Sequence, residues 1–176
     1  MATVFYTGCS LDGFIAAPGH DLGWLTSREI DGERHMGFET FRPGVGAAVM
    51  GANTWQWLLD AGETGFAEGI PAWVLTHRPF DPAPGVTFAA ADDPGELRGL
   101  HAELLQAAGG KHVWLVGGGA MVAAFAEVGL VDEFWVQFAP VTLGEGAPLC
   151  PAHVELSLLD VVRNQDFACT RYAVLH

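Results

Sequence analysis

Val113 to Met121 reads VWLVGGGAM, an apolar strand-like run that meets three consecutive glycines and passes into a helical pattern. A strand feeding a glycine turn into a helix offers free backbone N–H groups and the positive end of the helix dipole, with no Cβ to block a close approach. That is chemistry for a phosphate. Val113, Leu115 and Val116 suit a buried strand, and Met121, Phe125 and Val128 recur at helical spacing before Gly129 as the C′ residue. Glycine turns also join strands to helices only for close packing, so the motif alone has two readings. It is not the Rossmann fingerprint, because taking Gly117 and Gly119 as the first two glycines puts Val122 in the third place.

The elements that must hold this turn alternate along the chain. Ala2 to Gly8 reads as a first strand, followed by the turn SLDG, Ser10 to Gly13, whose Asp–Gly pair tolerates positive φ. Thr26 and Glu29 form a capping box that predicts a helix to about Phe41, with Ile30, Phe38 and Phe41 towards the core and Pro43 and Gly44 as the stop. Ala47 to Met50 predicts a short buried strand, Thr54 to Leu59 a short helix, and Asp60 to Gly69 a polar, glycine-rich mobile loop. Ala72 to Thr76 reads as a further strand. Asp93 caps a helix with Pro94 at N1 and Leu97, Leu100 and Leu104 on one face, ended by Gly109 and Gly110. Glu133 to Ala139 alternates as a strand with two unlike faces, and Leu156 to Val162 with Phe167 to Leu175 reads as a closing antiparallel hairpin. The pattern predicts an α/β domain with a mixed sheet.

With 176 residues, half of them hydrophobic and 16% charged, the chain can build one substantial core, and it is read as a single domain over 1–176. A formal charge of −13, from 21 acidic and 8 basic residues, argues against nucleic acid or an anionic membrane surface as partner. No segment has the apolar length of a membrane span or the pattern of a secretory leader, which places the protein in the cytoplasm. Cys9, Cys150 and Cys169 are odd in number and far apart, as packed, reduced thiols would be. The seven histidines show neither a helical i, i+4 pair nor a neighbouring CxxC, so no structural metal is expected.

Several segments in order resemble one family: SLDGFIA near the start, DLGWL (Asp21 to Leu25), MGANTW (Met50 to Trp55), VLTHRP (Val74 to Pro79), the GGG turn, and GLVDEFWVQFAPVTLGEGAPL (Gly129 to Leu149). Together they resemble the dihydrofolate-reductase-like fold, in the branch related to the riboflavin-biosynthesis reductase (RibD C-terminal) domain. The resemblance implies a three-layer domain with a central, mostly parallel mixed sheet and a C-terminal antiparallel hairpin. It implies a reductase that binds a nicotinamide dinucleotide without a Rossmann domain and transfers hydride to a small heterocyclic (pterin- or pyrimidine-like), carbonyl or imine substrate. A fold that kept its core and lost catalysis, serving as a binding module, is the alternative.

By the same resemblance, Gly117, Gly118 and Gly119, with Ala120 and Met121, hold the pyrophosphate, with a cis peptide between the first two glycines, and Val116 belongs to the same cofactor-binding segment. Gly51, Ala52, Asn53 and Thr54 match a second phosphate-binding turn, where Ala52 replaces the basic residue that many relatives use for the NADP 2′-phosphate. Leu75, Thr76, His77 and Arg78 follow a strand end where relatives bind the adenosine ribose, and His77 and Arg78 supply a replacement charge. NADPH is the expected cofactor, with NADH possible. Ile15 and Ala16 match the segment whose backbone contacts the nicotinamide amide. Proton delivery falls to Asp12, ranked above Asp31 and Glu39, although an Asp before Gly13 is also an ordinary turn former. Trp57 and Phe66 are candidates for a substrate wall, a flat guest suiting aromatic neighbours. Relatives in this branch are often homodimers, and the alternation of Phe134 to Phe138 offers a partner surface.

Overall fold

The structure, a computed structural model, describes residues 1–63 and 69–175. Among the described residues, ten strands and five α-helices follow in chain order, besides two 3-10 turns (Pro18–His20 and Arg42–Gly44): β1 (Thr3–Ser10), β2 (Phe14–Ala16), α1 (Gly23–Thr26), α2 (Phe38–Phe41), β3 (Val45–Gly51), α3 (Ala52–Ala61), β4 (Ala72–Leu75), β5 (Val86–Ala89), α4 (Pro94–Ala108), β6 (His112–Gly117), α5 (Gly119–Glu127), β7 (Glu133–Ala139), β8 (Ala147–Pro148), β9 (Leu156–Asn164) and β10 (Phe167–Val174). Eight strands form one sheet in the order β5-β4-β3-β6-β1-β7-β10-β9, while β2 and β8 pair separately. Neighbours from β5 to β7 run parallel, and β10 is antiparallel to both β7 and β9.

Strand alternation sends side chains to two helical layers. Phe5, Val49 and Leu115 join Leu97, Leu100 and Leu104 of α4 and Val122 and Phe125 of α5 on one face. Val4, Met50 and Trp114 join Trp55 and Leu58 of α3 and Phe41 of α2 on the other. The α4 helix begins as its sequence implies, with the Asp93 carboxylate accepting from the Gly95 and Glu96 amides at 2.7 and 2.9 Å. The closing hairpin forms as β9 and β10 around Gln165 and Asp166. Strand β5 was not anticipated, since VTFA after a Pro–Gly turn is too short to carry a period.

The helix expected from Thr26 to Phe41 does not form. Thr26 ends the one-turn α1, and helix returns only at Phe38. Two causes act together. Met36 takes a positive φ of 65°, and Gly37 sits so tightly that an added Cβ would collide with the Gly32 carbonyl. The backbone groups a helix would have used bond instead to the β9–β10 turn. Asp166 Oδ2 accepts from the Glu29 amide at 3.1 Å and Asn164 Oδ1 from the Asp31 amide at 3.0 Å, while Asn164 Nδ2 donates to the Asp31 carbonyl at 2.8 Å. Of the three apolar residues expected in the core, Phe41 is buried, Phe38 half-buried, and Ile30 exposed.

Candidate functional site

Strands β3 and β6 lie side by side, and the chain leaves their carboxyl ends in opposite directions. Helix α3 leads outward to β4, whereas α5 crosses β1 to reach β7. The two helices pack on opposite faces of the sheet, which opens a crevice between their starts, the usual ligand position in an open parallel sheet.

Neither helix start carries a side-chain cap. The Met121 amide donates to the Gly118 carbonyl at 3.1 Å, while the first-turn amides of α3 and those of Gly119 and Ala120 in α5 keep their hydrogen-bonding capacity for whatever enters the crevice. The two turns are close: a Cβ built on Gly51 would stand 3.7 Å from the Gly118 amide, and one on Gly117 would stand 3.5 Å from the Thr54 hydroxyl. The Gly117–Gly118 peptide is cis. The three glycines divide their roles. A Cβ on Gly118 would meet no atom within 4 Å and would project into open space, whereas one on Gly119 would collide with the Pro148 carbonyl. Gly119 serves packing against β8, and Gly118 leaves room in the crevice. A diphosphate needs such a cradle, so the residues present fit a dinucleotide.

A cleft of about 450 Å³ runs across these turns. Its wall includes Ile15, Ala16, Gly51, Ala52, Asn53, Thr54, Trp57, Arg78, Val116, Gly117, Gly118, Gly119, Ala120 and Met121, all singled out from the sequence. Residues that sequence reasoning passed over complete it: Thr7 and Gly8 at the end of β1, His20, Leu22 and Leu25 after β2, and Ala147, Pro148 and Pro151 from the β8 region. Gly8 makes room for its neighbour in the wall, because a Cβ there would strike the Leu25 side chain, a tertiary contact that the sequence does not show. His20 carried no sequence signal. In a chain of net charge −13, no carboxylate among the described residues lines this wall, and its ionisable side chains among them are His20 and Arg78.

The pair His77 and Arg78 splits. His77 Nε2 lies 2.7 Å from Asp92 Oδ1, outside the cleft, while Arg78 Nη2 donates to Asn53 Oδ1 at 2.5 Å. Thr76 shapes the bend, its hydroxyl accepting from the Arg78 amide at 2.8 Å. Leu75, Thr76 and His77 do not line the cleft. The cation missing at Ala52 is supplied to the same helix turn by Arg78.

The three expected acids do not line the cleft. Asp12 is a loop tie. It accepts from the Ser10 hydroxyl at 2.6 Å and from the Leu143 and Gly144 amides at 3.0 and 2.7 Å, and these bonds, the Ser10 hydroxyl first, hold its carboxyl down at about 2. A carboxyl so committed stays ionised near neutrality and has no proton to give. Asp31 is drawn to the β9–β10 turn through Asn164, and Glu39 sits in the first turn of α2. Trp57 does line the cleft; Phe66 lies outside the described residues. The buried thiols of Cys9 and Cys169 are pushed up to about 12 and 11 by burial, which leaves them as packing groups. Among the described residues no cluster of three or more His, Cys, Asp and Glu is placed to hold a metal ion, and no helix is long and apolar enough to cross a membrane.

Comparison with known proteins agrees with this fold. Residues 66–171 match the RibD C-terminal domain. The protein YwjB of Bacillus subtilis (strain 168), itself uncharacterised, is 30% identical over 148 residues, which cover 84% of this chain and 81% of YwjB. A crystal structure from Shewanella sp. PV-4, provisionally described as a riboflavin biosynthesis protein, aligns over 100% of both chains with 25% identity and a TM-score of 0.81. The Thermotoga maritima diaminohydroxyphosphoribosylaminopyrimidine deaminase/5-amino-6-(5-phosphoribosylamino)uracil reductase shares the fold at 16% identity and a TM-score of 0.68; the match covers 99% of this chain and 56% of that bifunctional protein. This chain is a member of the RibD C-terminal domain family, with the dihydrofolate-reductase-like fold of that branch.

Proposed function

We propose that this chain is a single-domain, cytoplasmic NAD(P)H-dependent reductase acting on a small heterocyclic, carbonyl or imine substrate. The observation that carries this reading is the meeting of two uncapped helix starts in a cleft bordered by Arg78 and, among the described residues, by no carboxylate. The amides that open α3 and α5, with the Thr54 hydroxyl, would hold the diphosphate, and Arg78 would meet a 2′-phosphate, favouring NADPH over NADH. Ile15 and Ala16 lie where backbone groups would orient the nicotinamide, beside a substrate wall of Leu22, Leu25 and Trp57. The bound dinucleotide would supply hydride. The uracil reductase named in the Thermotoga protein makes pyrimidine amines the first substrate class to test.

Saturable quenching of tryptophan fluorescence on titration with NADPH is the expected result, and no response to NADPH or NADH would end the proposal. One observation favours the rival, non-catalytic reading: the three carboxylates that a reductase would enlist do not line the cleft. NADPH bound without oxidation across pterin, pyrimidine-amine and carbonyl compounds would decide for that rival.

A homodimer accompanies the reading. Edge strand β9 exposes Leu158, Leu159 and Val161 at 57%, 51% and 58%, beside an apolar groove lined by Leu156, Phe138, Leu149 and Tyr172. Such a surface suits a second copy. Phe134 and Val136 are buried within the chain and leave Phe138, half-buried, as the contributor from β7.

A further inference from the structure

We infer that His20 is the residue that delivers the proton to the substrate, an assignment that rests on the reductase reading above. His20 and Arg78 are the ionisable side chains of the cleft wall among the described residues. Arg78 follows β4 and His20 follows β2, which comes after β1; in the sheet order β4, β3, β6, β1 the strands β4 and β1 are three spacings apart, about 14 Å. Between them lie the glycine turns that fit a diphosphate, so Arg78 marks the adenosine end and His20 the end where hydride would leave.

The backbone turns the imidazole to this position. Gly19 and His20 take positive φ in succession, 76° and 62°, and the His20 amide closes the turn on the Ala17 carbonyl at 3.1 Å. Positive φ at a residue with a side chain is uncommon and persists where surrounding structure fixes it. The imidazole is also uncommitted. Exposed His35, His77 and His153 each meet a carboxylate, at 2.7, 2.7 and 2.9 Å, whereas the His20 imidazole has no hydrogen-bond or ion-pair partner among the described residues. Imidazole is the side chain that ordinarily exchanges a proton near neutrality, and its exposure lets water restore that proton.

The step balances. The substrate C=N or C=O carbon receives hydride, two electrons with one hydrogen, from the reduced nicotinamide dinucleotide. The π bond breaks, and the nitrogen or oxygen takes one proton from a ring nitrogen of the His20 imidazolium. The substrate is reduced by two electrons, the dinucleotide is oxidised by two, and neutral imidazole takes a proton from water.

The test uses His20→Gly, which keeps the left-handed turn without steric cost, and His20→Gln. Tryptophan quenching by NADPH should stay within about twofold of wild type in both, while turnover of the best pyrimidine-amine, pterin or carbonyl compound falls at least about 100-fold through kcat. Added imidazole should restore turnover in His20→Gly and leave His20→Gln unchanged. In the wild-type protein, saturating NADP+ should shift the His20 ring resonances and leave those of His35 in place. Wild-type turnover in either variant, or a His20 resonance unmoved while NADP+ binds, overturns the assignment and leaves the reductase standing. Failure of the wild-type protein to bind NADPH, or to oxidise it with any compound, overturns both.

Discussion

The guanidinium of Arg78 donates to Asn53 Oδ1 across 2.5 Å, so the loop after β4 is fastened to the first turn of α3. A cation thereby reaches a helix start whose own sequence, GANT, provides none. Arg78→Ala should weaken NADPH binding about 10- to 100-fold, the worth of a charge-assisted hydrogen bond of ~1.5–3 kcal/mol, and NADH binding by less than about threefold. Parallel titrations with the two cofactors check this; equal losses for both would place Arg78 away from the 2′-phosphate.

Gly118 and Gly119 are adjacent and should answer differently to the same change. Gly118→Val adds atoms to open cleft, so the thermal melt should hold near wild type while cofactor binding is lost. Gly119→Val drives a side chain into the β8 backbone, and the melting temperature should fall by several degrees, as overpacking costs about 1–3 kcal/mol. Paired melts and NADPH titrations separate the two.

Asp12 links pH to the loop it holds. Its carboxyl lies at about 2 against an ordinary 3.8, lowered first by the Ser10 hydroxyl and then by the Gly144 amide. Because the folded value lies below the unfolded one, its contribution is fully present above the unfolded value and fades as pH falls towards 2. Asp12→Asn should thus be less stable than wild type near neutrality, with the gap closing as pH falls from about 4 to 2. Denaturant midpoints across that range would show it, and a gap that persists at pH 2 would deny the linkage.

The apolar β9 surface should govern association. Leu159→Lys combined with Val161→Lys should convert the proposed homodimer to a monomer in sedimentation equilibrium and leave the melt of the isolated subunit little changed, since both side chains are exposed. A wild-type protein already monomeric at high micromolar concentration would refute the dimer.

Local signals survived translation into structure where the chain's neighbours in sequence are also its neighbours in space. Strand β6, its glycines and α5 form one such unit, and Asp93 with Pro94 opens α4 as its types imply. The segment after Thr26 failed for the opposite reason. Its helical periodicity was outweighed by Asn164 and Asp166, more than 130 residues away, which no local pattern contains. The acids failed similarly: Asp12 is claimed by amides of residues 143 and 144. His20 was invisible because its place depends on two successive left-handed residues, and side-chain type does not announce them for histidine.

The wall of the cleft, to which no carboxylate among the described residues contributes, has a consequence for rates. A chain of net charge −13 repels a polyanionic dinucleotide at long range, while Arg78 and the helix-start amides attract it only within the cleft. Added salt therefore acts oppositely on arrival and on residence. Stopped-flow mixing with NADPH should show capture becoming faster as ionic strength rises, because the outer barrier is screened, while release also quickens as the inner contacts loosen. The protein would select its ligand at the threshold by shape and proximity, with no electrostatic guidance from afar.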